Sequence, residues 1–313
     1  MDTKKKVIFC GTPKIGVEAL RALFDTNKYE ILFVITQPDK LVGRKKEIVF
    51  SPVKNFCLEN NIKFFQPIKI LDIQSEIIEA KPDLILTCAY GQFINTKILE
   101  VPKYKCINIH ASLLPKYRGG APIHWSIING EKETGISIMF MEKAMDSGNV
   151  IYVEKIDIED SDNLATLFTK MEALAYKVVY NQINTLFDLN LVGEKQDESK
   201  VTFGYNIKRE DEKINWNISS KNIHNLIRGL SPKPGAFTTL DNKIVKVLNS
   251  KLTQDTTLDK EPGDIISITK EGILIKTLDN DLLLNEIQFE GKNIIKENDI
   301  FNSKQKLFNK KFI

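Results

Sequence analysis

Histidine is scarce in this chain: only three occur, at positions 110, 124 and 224. No group of His, Cys, Asp and Glu shows metal-ligand spacing, so neither a structural nor a catalytic metal is expected. The four cysteines (Cys10, Cys57, Cys88, Cys106) form no Cys-x-x-Cys pair, and three lie in apolar runs. They read as buried free thiols of a reducing compartment. No apolar stretch approaches the length of a bilayer span. Met1-Asp-Thr-Lys-Lys-Lys passes straight into an apolar strand without a hydrophobic signal region. A cytoplasmic protein with no membrane partner is expected. The net charge of +3 is small, so any affinity for nucleic acid rests on local patches. There is no Gly-Lys-Ser/Thr phosphate loop. Gly11-Thr-Pro-Lys-Ile-Gly16 lacks the Gly-x-Gly-x-x-Gly arrangement, and Pro13 occupies the turn where amides would cradle phosphate, so no dinucleotide is expected.

The chain does have enough length for two domains, each with its own core. In the first half, apolar runs at 6–10, 31–35, 62–65, 84–88 and 106–109 read as strands. Helical spacing covers 17–24, 52–59 and 73–80. Alternation of this kind predicts a parallel α/β sheet covered by helices on both faces. Later strands are expected at 135–141 and 150–158. Asp162 is expected to cap a long amphipathic helix that ends near Leu189. Residues 190–205 are polar and aperiodic, as a linker is. Beyond them, one helix (219–229) precedes short strands separated by turn residues, the pattern of a small β-barrel. The expected domains are therefore 1–189 and 206–313, joined by 190–205.

The most informative segment is Asn108-Ile-His110-Ala-Ser112-Leu113-Leu114-Pro115-Lys-Tyr-Arg118-Gly. The apolar run ending at His110 makes Asn108 and His110 strand neighbours on one face. A carboxamide donor and a titratable base then meet at a strand's carboxyl end, where open α/β sheets bind ligands. Asp146, in Met-Asp-Ser-Gly after another apolar strand, could supply a carboxylate to the imidazole. Taken alone, the Asn-x-His pair also fits a satisfied polar pair at a strand end. The continuation decides more: Asn-Ile-His-Ala-Ser-Leu-Leu-Pro-Lys-Tyr-Arg-Gly-Gly-Ala-Pro-Ile, then Thr134-Gly-Ile-Ser-Ile-Met-Phe-Met, then Met145-Asp-Ser-Gly, resembles the folate-dependent formyltransferases.

That resemblance implies a Rossmann-like formyltransferase domain, followed by an oligonucleotide-binding-like (OB-like) barrel. It carries the catalytic role onto Asn108, His110 and Asp146. Asn108 would hold the oxyanion and His110 would carry the proton. Asp146 would either orient His110 or accept the amine proton through water. Ser112, Leu113, Leu114 and Pro115 would face the folate, and Tyr90, Gly91 and Gln92 would line its pterin pocket, offering a close backbone approach and a ring. Arg118 would anchor its loop or meet the acceptor end of RNA. Gln37-Pro-Asp39-Lys40-Leu-Val-Gly43-Arg44-Lys45-Lys46, with Ser-Pro-Val-Lys54 downstream, reads alone as a solvated charged loop. It looks like the tRNA-contacting loop of the branch that formylates charged tRNA. Lys40, Arg44, Lys45 and Lys46 are thus candidate phosphate contacts, on a loop with little to pack on and expected to be mobile. Arg228 and Lys233, in a segment resembling the same branch's second domain, are candidates too, with a helix-ending cation as the other reading of Arg228. Lys304, Lys306, Lys310 and Lys311 make the tail basic.

The implied reaction is formyl transfer from 10-formyltetrahydrofolate to the α-amino group of initiator methionyl-tRNA, by a monomer. Three alternatives stand beside it. A formyltransferase for amino sugar nucleotides would lack the basic loop, a formyltetrahydrofolate hydrolase would need no RNA, and an RNA-binding protein would carry a dead folate site.

Overall fold

The computed structural model describes residues 4–43, 45–302, 307 and 310–313. It divides into two compact units, Met1–Pro122 with Thr134–Ile156 and Phe168–Tyr205, and Ile123–Glu133 with Asp157–Leu167 and Asn206–Ile313.

The elements of the chain's first part run β1 (Lys5–Gly11), α1 (Lys14–Asp25), β2 (Tyr29–Ile35), β3 (Lys40–Val42), β4 (Glu47–Val49), α2 (Pro52–Glu59), β5 (Phe64–Phe65), α3 (Gln74–Ala80), β6 (Leu84–Cys88), α4 (Thr96–Leu99), β7 (Cys106–His110), α5 (Pro122–Ile128), β8 (Glu133–Phe140), β9 (Val150–Asp157) and α6 (Leu164–Gln182). The main sheet has the order β5-β2-β1-β6-β7-β8-β9. Its first five strands are parallel, as the alternating pattern predicts. All five residues of β6 are buried, which explains why a central strand reads as one unbroken apolar run. Phe9, Cys10, Leu20 and Ile35 are fully buried in the same unit. Of the two later strands, for which the sequence carries no direction, β8 runs antiparallel to β7 and pairs Ser137 with His110 and Phe140 with Ile107. The chain leaves β7 and re-enters through β8 at the same end of the sheet, and a return of that kind reverses strand direction.

The cap of α6 also shifts by one residue. Asn163 accepts from the Thr166 backbone at 3.1 Å, while Asp162 accepts from Glu159 N at 2.8 Å and the Thr166 hydroxyl at 2.9 Å. Asp162 closes the turn ahead of the helix, and Asn163 takes the end of the helix itself. The helix stops at Gln182, and a 3₁₀ turn follows at Ile183–Phe187.

The remaining elements are α7 (Ser220–Leu230), β10 (Ala236–Leu240), β11 (Lys243–Leu252), β12 (Ile265–Thr269), β13 (Gly272–Ile275), β14 (Leu282–Phe289), β15 (Ile294–Lys296) and α8 (Glu297–Asn302). They build an antiparallel sheet of order β10-β11-β14-β13-β12, with β15 on β14. The last residues bond to both ends of this ladder. Ile313 exchanges bonds with Thr239 of β10, and Phe312 N donates to Gly263 O just ahead of β12. The sheet therefore curls round on itself, as expected of a small barrel, over Val245, Val247, Leu282, Leu284 and Ile287. Trp216 stacks on Phe312 in this core and donates from its indole to Thr238 at 3.0 Å.

No helix among the described residues is long and apolar enough to cross a membrane. All four cysteines are free and buried. Burial pushes the thiols of Cys57 and Cys88 up to about 12, and those of Cys10 and Cys106 upward as well. A protonated, inaccessible thiol is a poor nucleophile. A chromogenic thiol reagent at pH 8 is therefore expected to react with none of the four in the native protein. All four react once denaturant is added, and the absorbance of the released chromophore reads both.

Candidate active site

Strand pairing sets the first two groups. Asn108 lies opposite Thr87 in the parallel register of β6 and β7, and the Thr87 hydroxyl donates to Asn108 Oδ1 at 2.6 Å. With its oxygen engaged there, the carboxamide turns Nδ2 the other way, toward Asp146 Oδ1 at 3.5 Å. His110, two residues on, is 5% exposed. Its Nε2 lies 3.0 Å from Tyr117 O. A carbonyl only accepts, so Nε2 carries hydrogen and the neutral ring keeps its lone pair on Nδ1. That nitrogen faces Asp146 Oδ2 at 3.7 Å, too far for a direct hydrogen bond. The imidazole is thus oriented by the Tyr117 carbonyl, and the carboxylate stands ready to face its proton. The same Asp146 Oδ2 accepts from Gly119 N at 2.8 Å.

The loop after β7 is held from within. Ser112 is fully buried, and its hydroxyl donates to Lys116 O at 2.6 Å. Ser137 of β8 donates to Ser112 O at 2.7 Å and accepts from Leu114 N at 3.1 Å. Leu113, Leu114 and Pro115 remain half-buried. Gly119 has φ +129°, and a Cβ there would lie 2.8 Å from Gly204 O, so a side chain is excluded on both counts.

Tyr90 requires a correction. Its ring is 4% exposed and packs in the core with Cys10, Ile8 and Cys106, so it is not offered to a ligand. Burial raises its phenol. What Tyr90 gives the site is its carbonyl, which accepts from the Thr12 hydroxyl at 2.9 Å and Gln37 Nε2 at 3.2 Å. Gly91 is exposed with φ +87°. Gln92 accepts from Ile70 N at 2.7 Å and donates to Ile68 O at 3.1 Å, so its amide ties two loops together. Ile68 and Phe93 on those loops are 80% and 66% exposed, an apolar surface that sequence patterning missed.

Arg118 takes the anchoring one of its two readings. It is 5% exposed, and its guanidinium grips Gln196 Oε1 at 2.9 Å and Glu198 Oε1 at 2.8 Å. That bond holds the Glu198 carboxyl below its usual range. Both partners lie in the stretch read as a linker.

Three comparisons bear on this arrangement. The family described as "Formyl transferase" matches residues 4–183, and "Formyl transferase, C-terminal domain" matches 206–305. The chain is 50% identical to a methionyl-tRNA formyltransferase of Malacoplasma penetrans over 97% of its own length and 95% of that protein. Identity to the Bacillus subtilis methionyl-tRNA formyltransferase is 42%, covering 94% and 93%. The chain belongs to the methionyl-tRNA formyltransferase family. An N-formyltransferase from Helicobacter canadensis, solved with folinic acid and dTDP-3-aminofucose, shares the fold at a TM-score of 0.65 and 20% identity, over 90% of this chain and 99% of that one.

The structure sorts the cations expected to meet RNA. Strands β3 and β4 pair as a two-stranded hairpin on which Lys40, Lys45 and Lys46 are exposed; Arg44 lies outside the described residues. The hairpin is tied at its base. Lys54 Nζ meets Asp39 Oδ2 at 2.6 Å on one side and lies 3.7 Å from the Phe50 ring centroid on the other. Leu41 and Ile48 are 64% and 65% exposed on it. Lys233 is exposed. In the tail, Lys310 pairs with Asp241 and Lys311 with Glu261; Lys304 and Lys306 lie outside the described residues.

Arg228 is corrected. It is 7% exposed, and its guanidinium donates to Asn225 Oδ1 at 2.9 Å, Asp162 O at 2.9 Å and Glu159 O at 3.2 Å. With Nε and Nη1 spent on carbonyls inside the fold, this cation has little left to give a phosphate. Arg228→Ala is expected to lower stability in urea unfolding by about 1–3 kcal/mol for each carbonyl left unpaired. The salt dependence of RNA binding should stay as in the wild type.

Proposed function

We propose that this chain transfers a formyl group from 10-formyltetrahydrofolate to the α-amino group of initiator methionyl-tRNA, acting as a monomer in the cytoplasm. The observation that carries the reading is the convergence of Asn108 Nδ2, His110 Nδ1 and Asp146 at the end of β7, in a chain of this family. The division into a catalytic domain (1–189), a connecting segment (190–205) and an RNA-binding domain (206–313) belongs to the same proposal.

When bound, 10-formyltetrahydrofolate supplies the formyl group. Gly91, Gln92 and the Ser112–Pro115 turn would hold its pterin, Tyr90 contributing through its backbone, and exposed Ile68 and Phe93 suit an apolar ring. The fit rests on an open backbone at Gly91 beside apolar side chains left uncovered.

The transfer takes one proton from the attacking amine and returns one to the departing nitrogen. Asp146, negatively charged and half-buried, draws the amine in and accepts its proton directly or through water. Asn108, its oxygen fixed by Thr87, donates from Nδ2 to the oxygen that gains charge. Asp146 passes the amine proton to His110 at Nδ1, where the restored carboxylate offsets the new charge, and His110 delivers it to the departing nitrogen. Lys40, Arg44, Lys45, Lys46 and Lys233 would meet the phosphates of the acceptor arm.

Formyl transfer to charged initiator tRNA is the direct test. Asn108→Ala is expected to slow turnover by ~10²–10³, the usual loss for one oxyanion donor. A wild type that formylates an amino sugar or releases formate to water, with tRNA left untouched, overturns the RNA assignment. Replacing Lys45 and Lys46 by Ala should weaken tRNA binding. It should also flatten the dependence of log affinity on log salt by about one unit per lost phosphate contact, measured by filter binding across a salt series.

A further inference from the structure

Gln196 lies in the polar stretch that composition marks as a linker, yet it is 6% exposed. Its Oε1 accepts from Arg118 Nε at 3.1 Å and Nη2 at 2.9 Å. Its Nε2 donates to two backbone carbonyls, Asp146 O at 2.9 Å and Gly148 O at 2.8 Å. A guanidinium only donates and a carbonyl only accepts, so this amide has one permitted orientation, with both of its N–H groups committed.

The chain around Gln196 is strapped down on either side. Glu194 and Val150 exchange backbone bonds at 2.8 and 2.7 Å, and the Thr202 hydroxyl accepts from Tyr117 N at 2.9 Å. Gly204 N donates to Arg118 O at 2.8 Å, and Gly204 O accepts from Ala121 N at 2.8 Å. One segment therefore spans both loops that carry the candidate site, 117–121 and 146–150. Asp146 sits at φ +49°, a conformation a non-glycine residue keeps only where its surroundings hold it. Gln196 holds that residue by its carbonyl, while Gly119 N holds its carboxylate.

We infer that Gln196 is a positioning residue that fixes the 146–148 turn and, through it, aims the Asp146 carboxylate between Asn108 and His110. The inference rests on the catalytic role proposed for Asp146. Gln196 itself touches neither substrate; its effect passes through the backbone it grips.

Two variants test it in the full chain. Gln196→Glu keeps the acceptor facing Arg118 and turns a second acceptor on the carbonyls of Asp146 and Gly148, so the grip on that turn is lost while the Arg118 contact stays. Gln196→Met removes donors and acceptor at similar volume. Formyl transfer to charged initiator tRNA is followed in single turnover, across pH, with melting temperature measured alongside. Both variants are expected to lower the rate about 10²-fold, the loss that a misplacement of about 1 Å brings. KM for either substrate should hold, and the pH profile should take the shape of the Asp146→Ala profile. Introduced into Asp146→Ala, either variant should cost no more than about a further twofold, because the two residues act as one unit. An equal loss in both backgrounds overturns the inference, as does a lowered melting temperature with an unchanged rate per folded molecule. If Asp146→Ala keeps the wild-type rate, the role of Asp146 falls and this inference falls with it. If Asp146→Ala is impaired while both Gln196 variants run at full rate, the inference alone fails.

Discussion

The Asp146 carboxylate is held beside an imidazole that it does not quite touch, and much of the surrounding structure exists to keep it there. Its Oδ2 accepts from Gly119 N at 2.8 Å and stands 3.7 Å from His110 Nδ1. A backbone amide fixes the oxygen without using up the charge, so the carboxylate can still take a proton or face one. Holding Asp146 at φ +49° costs about 1–2 kcal/mol for a residue with a Cβ, least for Asn and Asp. Two amide bonds from Gln196 offset that cost, and Gly119 can come close because glycine is the one residue that fits against Gly204.

Each polar group at the end of β7 has one partner that turns its useful side outward. Thr87 takes the oxygen of Asn108 and leaves the amide nitrogen; Tyr117 O takes Nε2 of His110 and leaves Nδ1. Neither partner is charged. Under the proposed function that matters, since His110 is buried and an ion pair made in advance would neutralise the group that changes charge during reaction. The charged anchor, Arg118, spends its guanidinium one step back, where it meets Gln196 and Glu198.

Much of the parallel core was legible in the sequence because buried strands leave unbroken apolar runs, and the Asn108-x-His110 spacing followed from strand period alone. The direction of β8 was not legible. Its apolar run has the same composition whichever way it pairs, and direction depends on where the chain re-enters. The strap at 194–204 was also hidden, for a related reason. Its partners lie roughly 45 to 85 positions away in sequence, and a polar, aperiodic stretch that bonds to distant backbone has the same composition as one that bonds to water. Tyr90 erred in the opposite way: a tyrosine in a pocket-lining motif spends its ring on the core and contributes its carbonyl. Motif position located the residue but did not say which of its atoms the core would take.

The arginines show the same limit more sharply. The chain has five, and sequence reading sees only their charge. Arg118 and Arg228 are buried on acceptors of the fold; Arg21 pairs with Glu18 above the Phe56 ring, and Arg209 pairs with Glu212 above Phe237. A planar fork of donors suits that fixed, bidentate work inside a protein. The exposed cations left for RNA among the described candidates are lysines: Lys40, Lys45, Lys46 and Lys233. An ammonium group on a phosphate acts as a point charge and carries no sequence information there. Under the proposed function, these lysines therefore supply affinity that falls with salt, and choice among charged tRNAs rests on a different property. That property is whether the acceptor end can bring an uncharged amine within hydrogen-bond reach of the Asp146 carboxylate, beside Asn108 Nδ2, a geometric demand that the strap through Gln196 makes strict.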